Sequence, residues 1–348
     1  MNKRNLRILR DYVIGWIIAI IFWVVMRTYG VTLNAPATPE PVHALRLIII
    51  FGPLAGVMFG LAQIKIERYL YRRIPLWRLE LFGLVSNVAI MSVMFIMAFF
   101  MIEFTFGFDK PIGFWEFLLN PSSILVFFYS IFVNSLLAVL RQMNLFLGDG
   151  NLWRLLRGDF YTPRVESRVF MFIDLKSSTS IAETLGHIRY SQFIQDCFFD
   201  LQVVQEYDAE VYQYVGDEVV LSWKSKPDMD YSICIKAFWA FQDQLNKRKN
   251  RYITKYGLVP VFKAGINEGA VTAAEVGEIK REIAYHGDTM NITSRIQERC
   301  NHYDRQLLVS ECFYHKISHQ NGYKPELLGE EELRGKNQLI KIYSIERA

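Results

Sequence analysis

The apolar positions of this chain follow two different rules. In the first 140 or so residues they form long runs: Tyr12–Val31, Leu47–Ile64, Leu81–Ile102 and Ser122–Leu140. Each is close to the ~20 residues a helix needs to cross a bilayer, and the third carries no charge. Charges fall at the ends of the runs, a poor fit to the buried helices of a large soluble protein. Further along, the runs shorten. Val169–Ile173 is strand-like and Ser180–Tyr207 has helical spacing, while Glu210–Tyr214 and Val219–Trp223 form a hairpin turned at Gly216-Asp217-Glu218. Met229–Lys255 reads as one long amphipathic helix. Phe262–Ile266 reads as a strand, with Gly265 and Gly269 bracketing a turn into a second strand, Ala270–Val276. Ile283–Tyr285, Leu307–Ser310 and Leu339–Ile345 are further strands, and Thr289–Cys300 is a helix. This mixed order predicts an α+β domain: one antiparallel-dominated sheet with helices packed on it.

The expected organisation is therefore a four-span membrane anchor over residues 1–141, a cytoplasmic linker over 142–167 and a soluble domain over 168–348. Gly148-Asp149-Gly150, Gly158 and Pro163 punctuate the linker. Lys3, Arg4, Arg7 and Arg10 precede the first span, Lys65, Arg68, Arg72, Arg73 and Arg78 separate the second from the third, and Arg141 follows the fourth. By the positive-inside rule the N-terminus and the soluble domain are cytoplasmic, and the protein is a multi-pass protein of the cell (inner or plasma) membrane. Asn87 and Asn134, inside spans, are expected to hydrogen-bond between helices.

Composition agrees with a membrane protein: 51% of residues are hydrophobic and 15% aromatic. A net charge of +4 and the lack of a basic–aromatic stripe argue against a nucleic-acid polymer as partner. Cys197, Cys234, Cys300 and Cys312 have no metal-ligand spacing and read as free or buried thiols.

Three stretches carry candidate chemistry. The first strand stops at Asp174 and opens into Ser177-Ser178-Thr179. A carboxylate there can hold a cation while the turn and helix N-terminus hold phosphate, or it can simply cap the helix. Asp217 sits at the hairpin tip, where it can join Asp174 around metal ions or serve as an ordinary Gly-Asp turn residue. Asn291 and Arg295, four apart, share one helix face and suit a substrate hydroxyl and a phosphate gaining charge, or a solvated surface.

Taken together, the strand ending in Asp174-Leu175, the Tyr214-Val215-Gly216-Asp217-Glu218 hairpin, Gly265-Ile266-Asn267 with Gly269, the Gly287–Arg295 run and the closing Arg334-Gly335-Lys336 with Lys341-Ile342-Tyr343 resemble the class III nucleotidyl cyclase catalytic domain. The resemblance covers about residues 168–348 and implies the ferredoxin-like fold of that family, with flanking helices. It also implies two Mg²⁺ (or Mn²⁺) per active site held by Asp174, Asp217 and the carbonyl of Leu175. Ser177, Ser178, Thr179 and Lys336 would bind phosphates, Asn291 would orient the ribose, and Arg295 would stabilise charge at the α-phosphate. Because such sites form between two catalytic domains, it implies a homodimer. The implied reaction converts ATP to 3′,5′-cyclic AMP and pyrophosphate.

Two positions depart from the family pattern. The base-reading positions hold Gln213 and Ala284, where adenylate cyclases commonly carry Lys with Asp or Thr, and familiar guanylate cyclases carry Glu and Cys. Gln can donate or accept, and Ala offers no polar group. ATP is the expected substrate and GTP the alternative. A receptor with a catalytically weak cyclase-like module is a further reading. A diguanylate cyclase ranks lower, because Val215 stands where that family has a second Gly.

Overall fold

The computed structural model describes residues 3–29, 41–69, 76–106, 113–148, 151–159, 161–279, 281–317, 322–332 and 339–348. Arg72, Arg73 and the Arg334-Gly335-Lys336 stretch, with its phosphate-binding assignment to Lys336, lie outside the described residues. The chain divides into two compact units, residues 1–143 and 144–348.

The first unit contains helices α1 (Lys3–Tyr29), α2 (Pro41–Tyr69), α3 (Leu76–Phe106), the short α4 (Phe114–Leu118) and α5 (Pro121–Leu147). Four of them, α1, α2, α3 and α5, are long and apolar enough to cross a membrane. The inner stripe of α1 is Ile8, Tyr12, Trp16 and Ala19, and Trp16 stacks on Phe59 of α2 with ring centroids 4.9 Å apart. Gly52, Gly56 and Gly60 repeat every four residues along α2. A Cβ on Gly56 would stand 2.4 Å from the Cα of Val13, so α1 and α2 approach backbone to backbone. Asn87 donates to the Ser130 carbonyl at 3.4 Å and accepts from the Ser130 hydroxyl at 3.4 Å, joining α3 to α5 as expected. Asn134 departs from that expectation, since its Oδ1 is buried and accepts no hydrogen bond among the described residues. Near one end of the helices, the buried Glu67 of α2 pairs with Arg4 of α1 at 2.7 Å and Arg141 of α5 at 3.1 Å.

The second unit opens with a one-and-a-half-turn helix, α6 (Asn151–Leu156). Then come β1 (Arg164–Leu175), α7 (Ser178–Asp200) with a 3₁₀ continuation over Leu201–Tyr207, β2 (Glu210–Val215), β3 (Glu218–Lys224), α8 (Ser232–Lys247), α9 (Lys249–Tyr256), β4 (Phe262–Val276), β5 (Glu282–His286), α10 (Asp288–His302), β6 (Leu307–Ser310), α11 (Glu311–Tyr314), β7 (Tyr323–Glu332) and β8 (Leu339–Arg347). The sheet order is β2-β3-β1-β4-β6-β8-β7, and β5 pairs with β4. The β4–β6 pairing is parallel and the others antiparallel, which matches the expected α+β architecture.

β1 divides its side chains by alternation. Val169, Met171, Ile173 and Leu175 face the main core with Phe193 and Cys197 of α7 and Phe238 and Phe241 of α8. Phe170 and Phe172 pack on the opposite face with Val220, Val271 and Tyr285, and Asp174 follows them in register.

Two local expectations are corrected, and two elements are added. The region 229–255 is two helices, broken at Arg248, which leaves the helical basin at φ −100°, ψ 12°. β4 runs unbroken through Gly265 and Gly269, so these glycines make no turn. They clear space for α10: a Cβ on Gly265 would stand 2.4 Å from the backbone nitrogen of Gln297, and one on Gly269 2.6 Å from Thr289 Oγ1. β7 and the short α11 are additional elements.

Candidate active site

The end of β1 supplies the centre of the site. Asp174 lies opposite Lys263 of β4 in the antiparallel register, and Lys263 Nζ stands 3.1 Å from Asp174 Oδ2. The same oxygen accepts a 3.2 Å hydrogen bond from Gln297 Nε2 of α10. Lys263 is itself buried and donates to Asn301 Oδ1 at 3.0 Å. Asp174 therefore does not cap the helix that follows. Ser177 is the residue preceding α7, in the left-handed region at φ 61°. After Asp174 the chain is tied back by Lys176 N–H donating to the Val261 carbonyl at 2.9 Å. Ser177 and Thr179 are exposed and Ser178 is half-buried.

The hairpin brings the second carboxylate. Val215 pairs with Glu218 across the tip, and Gly216, at φ 63°, makes the turn that a side chain would strain. Burial raises the Asp174 carboxyl above its ordinary value, and the Asp217 carboxylate beside it adds to the rise while Lys263 opposes it. Glu218 is pushed up to about 7, by burial first and then by Asp174, Asp217 and Glu298. The Tyr190 phenol of α7 is pushed up to about 12 by burial and by Asp217, with Ser178 next to it. So many carboxylates facing Lys263 form a site short of positive charge.

That imbalance fits a divalent cation. No group of three or more His, Cys, Asp or Glu that could hold a metal occurs among the described residues. Asp174 and Asp217 together with the Leu175 carbonyl are nonetheless hard oxygen donors, and Mg²⁺ commonly fills its remaining positions with water and substrate phosphate.

The third motif lies on α10. Thr289, Thr293, Ile296, Gln297 and Cys300 are its buried positions. Asn291 is exposed and Arg295 half-buried, and at 100° per residue both lie outside that buried stripe. Asp174, Asp217 and, through Tyr190, Ser178 are gathered in one place, and Asn291 and Arg295 share the part of α10 outside its buried stripe. Gln213 is exposed on β2 and Ala284 half-buried on β5. Lys263, Gln297, Glu218 and Tyr190 were not singled out from the sequence. A signal for Lys263 existed: it is a lone cation alternating with Phe262, Ala264 and Ile266 on a strand.

The adenylate and guanylate cyclase catalytic domain matches residues 160–347. The chain belongs to this family. It is 31% identical over 224 residues to adenylate cyclase 2 of Rhizobium meliloti (strain 1021), covering 64% of this chain and 62% of that protein. It is 24% identical over 182 residues to an adenylate cyclase of Anabaena cylindrica, covering 50% of this chain and 36% of that protein. The cyclase-family chain thus spans less than two thirds of the length of either curated relative. The solved structure of a bacterial light-regulated adenylyl cyclase shares its fold, with a TM-score of 0.54 at 15% identity over 66% of this chain and 67% of that one.

Proposed function

We propose that the protein is a membrane-anchored adenylate cyclase, converting ATP to 3′,5′-cyclic AMP and pyrophosphate in sites completed by two copies of the chain. The observation that carries this reading is that Asp174 and Asp217 are neighbours, Asp174 touching Gln297 of the buried stripe of α10, while Asn291 and Arg295 lie on α10 outside that stripe. One chain folded this way holds two half-sites, and a twofold dimer would bring each carboxylate pair to the Asn/Arg pair of the other copy.

In that reading Asp174, Asp217 and the Leu175 carbonyl hold two Mg²⁺ or Mn²⁺. When bound, the ions supply Lewis-acid activation of the ribose 3′-hydroxyl and neutralise phosphate charge. The chain's own residues do the rest. Ser177, Ser178 and Thr179 bind phosphate oxygens through the turn before α7, and Lys263 and Lys336 add positive charge there. Asn291 orients the ribose, and Arg295 stabilises the charge that builds on the α-phosphate as pyrophosphate leaves. Gln213 and Ala284 line the base pocket. The N-terminus and the catalytic unit face the cytoplasm, following the distribution of cations around the spans.

GTP is the second reading, favoured by Gln213, which can meet either purine edge, and by Ala284, which imposes no polar choice. The test incubates the full chain in membranes with Mg²⁺ or Mn²⁺ and ATP or GTP, and quantifies both cyclic products. Cyclic AMP from ATP is expected. Cyclic GTP alone would move the protein to the second reading, and no product from either nucleotide would overturn the enzymatic assignment.

A further inference from the structure

β2 and β5, which carry Gln213 and Ala284, are not hydrogen-bonded to one another; β3, β1 and β4 lie between them in the sheet. They are joined by side chains instead. A register shift between Val211 and Gln213 makes Tyr212 the extra residue of a bulge. Its hydroxyl accepts the Tyr285 backbone N–H at 3.4 Å, and the two rings are 5.0 Å apart. Phe170 of β1 packs edge-on against both.

Beneath this bridge lies Arg168 of β1, fully buried and the largest of the fully buried side chains among the described residues. Its guanidinium pairs with Glu210 at the start of β2, donates to Ser222 Oγ of β3 at 3.0 Å, pairs with Glu166 at 2.9 Å, and lies 4.8 Å over the Tyr285 ring of β5. One rigid, planar group thus touches β2 three residues before Gln213 and β5 one residue after Ala284.

We propose that Arg168 is a positioning residue for the nucleobase: by clamping Glu210 and Tyr285 it sets the separation of Gln213 and Ala284, and with it the preference between ATP and GTP. This rests on the reading of Gln213 and Ala284 as base-contacting positions. A buried cation tied to three strands is an expensive way to fill a core, since an apolar side chain would serve packing alone. What the cation adds is directional restraint on two strands that the sheet does not hold together.

The test compares Arg168→Met, Tyr212→Phe and Gln213→Ala in the full membrane-embedded chain, with steady-state kinetics on ATP and GTP. Arg168→Met leaves Glu166 paired with Arg154 at 3.3 Å and Lys224 at 3.3 Å, and Glu210 stays in reach of water. We expect it to raise KM for ATP by about tenfold, to change kcat by less than about twofold, and to shift the ATP-to-GTP ratio of kcat/KM. Tyr212→Phe, which removes only the hydroxyl bridging to β5, should shift the ratio the same way by less. A proportional fall in kcat for both nucleotides with KM and ratio unchanged, or no effect at all, would overturn the proposal. Where Arg168→Met fails to fold, the ratio for Tyr212→Phe decides alone: a shift supports the clamp and an unchanged ratio refutes it. Gln213→Ala reports on the underlying assignment, and an unchanged ratio there refutes the base reading and the proposal with it.

Discussion

Gly265→Ala is the smallest change that should disturb both fold and chemistry. The added Cβ would meet Gln297 N at 2.4 Å, its Cα at 2.8 Å and its Cβ at 2.9 Å. Two of these are backbone atoms of α10, which no rotamer change can move. Comfortable contact needs about 3.5 Å, so α10 must withdraw by about 1 Å. Gly265 is in β4 with no left-handed backbone angle, so alanine fits its conformation and the effect is steric alone. Overpacking of this kind costs about 1–3 kcal/mol. For a unit of about 200 residues a 2 kcal/mol loss lowers the midpoint of thermal inactivation by about 4–8 °C. The same displacement draws Gln297 off Asp174 and moves Asn291 and Arg295, and an error of about 1 Å in catalytic geometry costs about 100-fold in rate. The assay is thermal inactivation and cyclic-nucleotide formation in membranes, with Gly83→Ala as control, since nothing lies within 4 Å of the Cβ it would add. Wild-type stability and rate in Gly265→Ala would refute the reasoning.

Two other substitutions probe separate parts of the molecule. Lys263→Met removes a cation 3.1 Å from Asp174; a charge-assisted hydrogen bond to phosphate is worth about 1.5–3 kcal/mol, so KM for the metal–nucleotide complex should rise about 10–100-fold. An unchanged KM would exclude Lys263 from substrate binding. Glu67→Gln removes the buried carboxylate that Arg4 and Arg141 share and should lower the detergent-unfolding midpoint of the first unit, whereas a neutral result would mean that the Glu67 charge adds nothing to its stability.

Much of this architecture is written in residue patterns that need no partner to interpret. The four apolar runs, the strand stopping at Asp174 and the hairpin closing at Gly216 are local, so composition and turn chemistry reveal them. β7 escaped because it is the edge strand of the sheet: Tyr323-Lys324-Pro325-Glu326 followed by Gly329 and glutamates lacks apolar alternation, as suits an edge that must stay unpaired. Gly265 and Gly269 imitated a turn because a glycine demanded by a neighbouring helix looks the same in sequence as one demanded by φ. Helical periodicity continues across Arg248, so nothing marked the break between α8 and α9. Lys263 and Gln297 meet Asp174 through strand register and helix packing, which depend on residues about 90 and 123 positions away. The contribution of Arg168 is hidden for the same reason.

We propose that each site takes its carboxylates from one copy and its Asn/Arg pair from another. It is tested most directly by mixing two dead chains. Asp174→Asn and Arg295→Ala, expressed singly, should each be inactive. Co-expressed in equal amounts, half of the dimers are mixed and each mixed dimer has one intact site of two, so roughly a quarter of wild-type activity should return. Restoration near that level is the predicted result. Persistent inactivity of the mixture, with both variants shown to assemble together, would contradict a site shared between chains.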